Sequence, residues 1–329
     1  MSVGEFGSRA SAGDLPPGRI ALPAGAQQRQ ICWRIAIGVV FFHLVALLVF
    51  LPGFFSWTGL GIAVLGIYVF GGLGINLCYH RLLTHRSFKT PLWFEHALAV
   101  IAVCCLEDPP ARWVTVHRRH HHHTDEQADP HSPLVNFFWA HMGWLFYENN
   151  ELDRLTAYQR YAKDILRDPF YKMLERNFMW IALASWLVFF AGGFLFGILT
   201  GNSIEQSLRL GGFVLLWGVF VRTVLVWHIS WSVNSLSHYS GYRNYSTDDG
   251  SRNNVLVAVL TTGEGWHNNH HADPGSANMG HRWWEFDGIY LFIRGLAVIG
   301  LASDIVERKP ALALAGTARP AGDFELPDD

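Results

Sequence analysis

Three histidine clusters stand at spacings that could hold metal. His80 and His85 frame HRLLTH, His117, His120 and His121 form HRRHH, and His267, His270 and His271 form HNNHH. On an α-helix, positions i+3 and i+4 fall within roughly 60° of position i. Each HxxHH box therefore turns three imidazoles toward one point. The five-residue step from His80 to His85 turns about 140°, which keeps those two rings off one helical face. They can flank a metal pair, or bind separate metals where a helix end deforms. In NSLSH, Asn234 and His238 lie four apart and add an amide and a ninth imidazole. A tetrahedral zinc takes only four ligands, so nine imidazoles are a supply for two metals. Ligand type alone admits iron, zinc or copper.

The remaining histidines read more plainly. His122 and His123 rotate off the face of His117, His120 and His121 and are expected in solvent. His43, His96, His141 and His281 are isolated. Metal-bound imidazoles need acceptors on their second nitrogen. Asp125, Asp129 and Glu264 lie within a few residues of the boxes and are candidates, with solvated charges as the plainer alternative.

The elements that must position these groups are apolar. The 329 residues are 50% hydrophobic and only 16% charged, against about 25% charged in a typical soluble domain. A net charge of −2 gives no reason to expect nucleic acid. Uncharged or nearly uncharged runs predict four membrane spans, at about 35–55, 58–79, 177–200 and 210–227. Arg222 interrupts the fourth and has to snorkel or face the protein interior. The stretch 93–106 is too short to cross and reads as an interfacial or re-entrant helix. The apolar stretch 289–305 carries Arg294 and is placed with the soluble part. Residues 1–30, rich in Gly, Pro, Ala, Ser and Gln, read as a disordered tail, and 309–329 as a flexible one. Between them, 31–308 is expected to fold as one all-α membrane domain. In it two helical hairpins stand under a helical cap formed by 80–176 and 228–308. Cys32, Cys78, Cys104 and Cys105 sit in or beside apolar runs and read as buried thiols. The turns between paired spans lack Lys and Arg, while the long polar segments are rich in them. The positive-inside rule thus places the cap and both termini in the cytoplasm.

In HRLLTHRSF, HRRHH followed by DEQADPH, NSLSH and GEGWHNNHH, the chain resembles the membrane-bound fatty-acid desaturases of the Δ9 type, over roughly residues 60–308. The resemblance implies a di-iron centre held by His80, His85, His117, His120, His121, His238, His267, His270 and His271, with Asn234 touching one metal through water. It also implies an acyl tunnel lined by Trp227 and Trp231, O2 as co-substrate, and no catalytic side chain beyond the metal ligands. Two electrons would come from a donor such as ferredoxin or a cytochrome b5-type protein with its reductase. Thr115 and Val116 stand where animal acyl-CoA members carry a basic–acidic pair that helps hold CoA. GEGWHNNHH with the downstream WWEFD is similar to the bacterial branch, some members of which act on lipid-bound chains. Acyl-CoA and acyl-lipid both stay open as substrate, and the expected location is a bacterial inner membrane.

Two other readings compete. One is a related hydroxylase or ketolase. The other, of a different class, is a metal transporter or haem membrane protein, although transporters place ligands within the spans rather than beyond them. The second span also carries Gly59, Gly61, Gly66, Gly71, Gly72 and Gly74. Small residues usually let membrane helices pack closely; alternatively some leave room for an acyl chain that Tyr68 or Phe70 would stop.

Overall fold

The computed structural model describes residues 16, 18–27 and 29–308. Among them there are helices and isolated bridges but no sheet, as expected for an all-α chain. Four helices are long and apolar enough to cross a membrane. Helix α1 covers Trp33–Phe50 and α2 covers Trp57–Thr84. The cap begins with α3 (Leu92–Val103), α4 (Pro110–His123), α5 (Phe137–His141) and α6 (Leu155–Tyr161). Helices α7 (Pro169–Leu199) and α8 (Ile204–Tyr239) make the second hairpin. The short α9 (Val255–Thr261), α10 (His267–Ala272) and α11 (Gly288–Val298) complete the cap.

Local chemistry sets the helix ends. Ser56 caps α2 by accepting from the Gly59 amide. Ser203 and Gln206 form a reciprocal capping box at α8, which satisfies two otherwise orphaned amides. The turn between α7 and α8 needs Gly201 at φ +84°, where a side chain would be strained. These two helices touch through small residues. A Cβ on Gly193 would lie 2.9 Å from the Leu210 carbonyl, and one on Gly197 2.7 Å from the Ser207 hydroxyl. Close approach of this kind supplies dispersion contact where lipid removes the hydrophobic drive.

The membrane helices run longer than the apolar runs alone suggested. Helix α2 extends to Thr84 and α8 to Tyr239, so both spans carry their polar ends, with His80 and His238, up into the cap. Helix α3 ends inside the bundle. Its last carbonyls receive the Arg222 Nη1 donor at Cys104 (3.0 Å) and the Trp227 indole at Cys105 (2.9 Å). Arg222 is fully buried, and its guanidinium lies 3.9 Å from the Phe70 ring centroid. It therefore faces the interior, where it satisfies backbone groups that have no water to turn to.

Part of the segment expected as an N-terminal tail lies against the cap. Ile20 N donates to Leu134 O, Asn150 N to Gly25 O, Glu148 N to Gln30 O and Cys32 N to Phe146 O. Backbone pairing overrides the weak composition signal there. The rest of 1–30, and the tail expected over 309–329, lie outside the described residues.

Candidate metal centre

The two spans and the cap bring all nine candidate imidazoles together in two groups. His80, His85, His117, His121 and His270 have ring nitrogens within 4.8 Å of one another, and so do His120, His238, His267 and His271. His80 and His85 share the first group, contrary to the expectation that an α-helical step keeps them apart. The reason is the ladder: α2 loosens to wide π turns over Ile67–Thr84, and the His85 amide donates to the His80 carbonyl five residues back (3.1 Å). A π turn takes more residues than an α turn, so a five-residue step returns to nearly the same face.

The hydrogen-bond pattern tests whether metal fits. His80 Nδ1 lies 2.5 Å from Glu264 Oε2 and His120 Nδ1 3.0 Å from Asp129 Oδ2, while His271 Nδ1 lies 2.9 Å from Asp249 Oδ2. Each carboxylate accepts a hydrogen bond from Nδ1–H, which leaves Nε2 without a proton. Those bare nitrogens face others. His80 Nε2 and His270 Nε2 are 3.2 Å apart, His270 Nε2 and His121 Nε2 2.9 Å, His121 Nε2 and His117 Nε2 3.1 Å. In the second group His271 Nε2 faces His267 Nε2 at 3.1 Å, and His120 Nε2 is buried with no partner. Burial and the neighbouring imidazoles hold His85, His117, His121, His267 and His270 well below the ordinary histidine pKa. Buried rings whose bare nitrogens converge are a donor set for one cation in each group.

The carboxylates are held in turn. Arg81, fully buried, binds Glu264 Oε1 through Nη2 (2.8 Å) and Asp287 Oδ2 through Nη1 (2.9 Å). Burial alone would raise the Glu264 pKa; Arg81 and His80 pull it below the ordinary value. His120 and His131 do the same for Asp129, and His271 and His238 for Asp249. Asp125 lies 3.6 Å from His238 Nδ1 and accepts from the Gly250 amide. Asp249 was missed in the sequence, because it lies in a loop 22 residues from its histidine and nothing in STDDG marks it. The two asparagines of HNNHH are structural. Asn268 accepts from the amides of Asn244 and Tyr245, and Asn269 donates to Glu285 and the Met279 carbonyl. They fix α10, and with it three imidazoles.

A cavity opens beside the groups, lined by His80, His117, His267, Trp113, Trp231 and Asn234 among others. Glu107 also faces it. Its Oε2 accepts from Ser230 Oγ (3.0 Å) and Trp113 Nε1 (3.4 Å), while its buried Oε1 has no partner. The residues flanking it, Leu106 and Asp108, both have positive φ (+58° and +144°), a strain typical of functional loops. Trp113 stacks on His117 at 5.0 Å. Ile75, Asn76 and Ser230 also line a second cavity, a narrow crevice between α2 and α8, which Gly71, Gly72 and Tyr68 border. Trp227 stacks on Trp231 but serves α3 and does not line the first cavity.

The other histidines are not all bland. His43 Nε2 faces His228 Nε2, and His228 Nδ1 faces His141 Nε2, both at 2.9 Å. This chain uses both nitrogens of His228, so its members share no point where an ion could sit. His96 pairs with Asp168 and His281 with Tyr245. His122 is exposed, and His123 pairs with Glu126.

The fatty acid desaturase family model matches residues 55–296. The chain is 41% identical over 299 residues to an sn-2 palmitoyl-lipid 9-desaturase of Nostoc sp. (strain 36), covering 89% of this chain and 97% of that protein. It is 40% identical over 287 residues to an sn-1 stearoyl-lipid 9-desaturase of Synechocystis, covering 87% and 83%. An acyl-CoA C20 Delta5-desaturase of Anemone leveillei is 36% identical over 313 residues, covering 93% and 94%. With two histidine groups set above an apolar bundle and similarity along most of its length, the chain belongs to the fatty acid desaturase family and is a membrane oxidoreductase that desaturates fatty acyl chains.

Proposed function

We propose that the chain introduces a cis double bond at the Δ9 position of a saturated acyl chain that is still esterified to a membrane lipid. The observation that carries this reading is the pair of imidazole groups with bare nitrogens beside a cavity that continues between α2 and α8. Two irons held there, one in each group, would supply the O2-reducing chemistry that removes two hydrogens. The overall balance is O2, two electrons, two protons and –CH2–CH2– going to –CH=CH– and two waters. The electrons come from a soluble carrier such as ferredoxin or a cytochrome b5-type protein.

The chain's own residues bind and orient. Glu264, Asp129 and Asp249 fix the tautomers of His80, His120 and His271. Asn234 faces the cavity and would hold a water on one metal. Trp113, Ser230 and Trp231 wall the first cavity, so a chain lying along it is kept from water and presents one carbon pair to the metals. Thr115 and Val116 are both buried and uncharged, so neither offers CoA a charge, and the names of the two acyl-lipid relatives support a lipid-linked substrate. The cap, whose segments hold Lys and Arg that the turns between paired spans lack, is placed on the cytoplasmic side of a bacterial inner membrane by the positive-inside rule.

The test is expression in a host that lacks unsaturated fatty acids, followed by chromatography and double-bond localisation in its lipids. Δ9 chains in intact glycerolipids support the reading. Hydroxylated products, or unsaturation confined to acyl-CoA, overturn it.

A further inference from the structure

The stretch 154–176 on the cap presents six exposed cations: Arg154, Arg160, Lys163, Arg167, Lys172 and Arg176. Acidic side chains in and beside this stretch are committed elsewhere. Asp153 pairs with Arg112. Asp164 binds Arg118 at 2.7 Å and Arg86 at 3.0 Å. Asp168 accepts from the Phe170 amide and faces His96. Glu175 accepts from the Ala111 amide. None of the six cations forms an ion pair among the described residues. The result is a concentrated positive surface on a chain whose net charge is −2.

This surface is joined to the helix that carries the second histidine box. Arg118, next to His117, donates to the Tyr161 carbonyl and to Asp164. Arg160 Nη2 lies 2.9 Å from Nε2 of the exposed His122, next to His121. A path from the patch to a metal-binding imidazole thus crosses one side-chain contact and one peptide unit.

We propose that the patch formed by Arg160, Lys163 and Arg167, with His122 at its edge, is the docking surface for an acidic one-electron carrier protein. The proposal rests on the reading above that electrons arrive from a soluble donor. Each double bond consumes two electrons, so two encounters are needed: in each, the reduced carrier gives up one electron and leaves oxidised. Carriers that must leave again make small interfaces and rely on complementary charge for encounter rather than on buried apolar area. Lys172 and Arg176 lie in the first turns of α7 and fit the lipid headgroup layer under the positive-inside rule. Arg160, Lys163 and Arg167 precede that helix and lie over α4, close to where an electron is needed.

The test uses the full chain in nanodiscs and the triple charge reversal Arg160→Glu, Lys163→Glu, Arg167→Glu. The probes are a plant-type [2Fe–2S] ferredoxin and a soluble cytochrome b5. Binding is measured calorimetrically from about 50 to 300 mM salt, a range over which exposed charges become screened. The expected result for at least one carrier is a Kd weakened by about tenfold or more at low salt, with a flattened salt dependence. KM for that carrier rises in parallel, while turnover driven by a small reduced viologen is unchanged. The neutral pair Lys163→Gln, Arg167→Gln, which perturbs folding less, should show a smaller change in the same direction. Unchanged Kd and KM for both carriers in both variants overturn the proposal. So does weaker binding to anionic vesicles with carrier binding intact, which would assign the patch to the bilayer. A wild-type chain that neither carrier binds or reduces overturns the donor reading itself.

Discussion

Glu107 should hold a proton at neutral pH, and the consequence is measurable as stability. Burial is the dominant influence and raises its pKa from 4.5 to about 8, against the opposing hydrogen bonds from Ser230 and Trp113. Each tenfold in proton affinity is worth about 1.4 kcal/mol, so the folded chain holds this proton more tightly than the unfolded chain by at most about 5 kcal/mol. Relaxation and water entering the cavity reduce such a figure, to on the order of 2–3 kcal/mol. Because the folded pKa is the higher one, the stabilisation is complete below about pH 4.5, is lost as pH rises, and is gone above about pH 8. Glu107→Gln keeps the shape and an acceptor for Ser230 but cannot ionise. Its melting temperature should match wild type near pH 5 and exceed it by several degrees near pH 8.5, at a few degrees per kcal/mol. The assay is thermal unfolding in detergent after chelation, since cations in the neighbouring groups would draw the Glu107 pKa back down. Subtracting the two profiles cancels the histidine titrations common to both proteins. Parallel profiles from pH 5 to 8.5 would refute the argument that this carboxyl is buried as a neutral acid.

Further outcomes follow from the same geometry. Gly72→Leu sets its Cβ in ordinary contact with Ile289 at 3.8 Å, without a clash, at the border of the second cavity, and should shorten the preferred acyl chain by a few carbons in a mixed-substrate product profile. Gly66→Leu, by contrast, drives a Cβ to 2.5 Å from Arg222 and should lower thermal stability by about 1–3 kcal/mol without a selective change in products. His270→Ala should lose metal and activity together in elemental analysis and turnover, whereas the double change of His122 and His123 to Gln should leave turnover at saturating donor within a few-fold. Asp249→Asn removes the carboxylate from His271 Nδ1 and should weaken metal affinity by about 10–100-fold in a competition titration.

What could be read from the sequence depended on how local the physics was. Uncharged runs are long and self-contained, so four spans were evident. Their upper ends were not, because His80 and His238 continue the helices on residues that read as polar cap. The HxxHH boxes were legible because α-helical spacing alone brings three rings together. The His80–His85 step was misread because the ladder there is π, and no residue in YHRLLTH announces a π turn. Asp125, Asp129 and Glu264 were named from their proximity in sequence to the boxes; the structure sets Asp129 and Glu264 against His120 and His80, and Asp125 3.6 Å from His238. Asp249, Glu107 and His228 were not, because each acquires its role from a partner on another element. The second-span glycines show the same division. One pattern serves two purposes: Gly66 admits the Arg222 side chain and Gly72 borders the second cavity, and only the facing helix distinguishes them. Arg222 itself is costly in the apolar fourth span until α3 is seen to end inside the bundle. There its terminal carbonyls need a donor that lipid cannot supply. A buried cation, a helix that stops inside the bundle and a glycine opposite both are then one solution to a single hydrogen-bonding problem, with Trp227 as its second donor. That accounts for Trp227 standing beside Trp231, which lines the first cavity, while its own indole serves the fold.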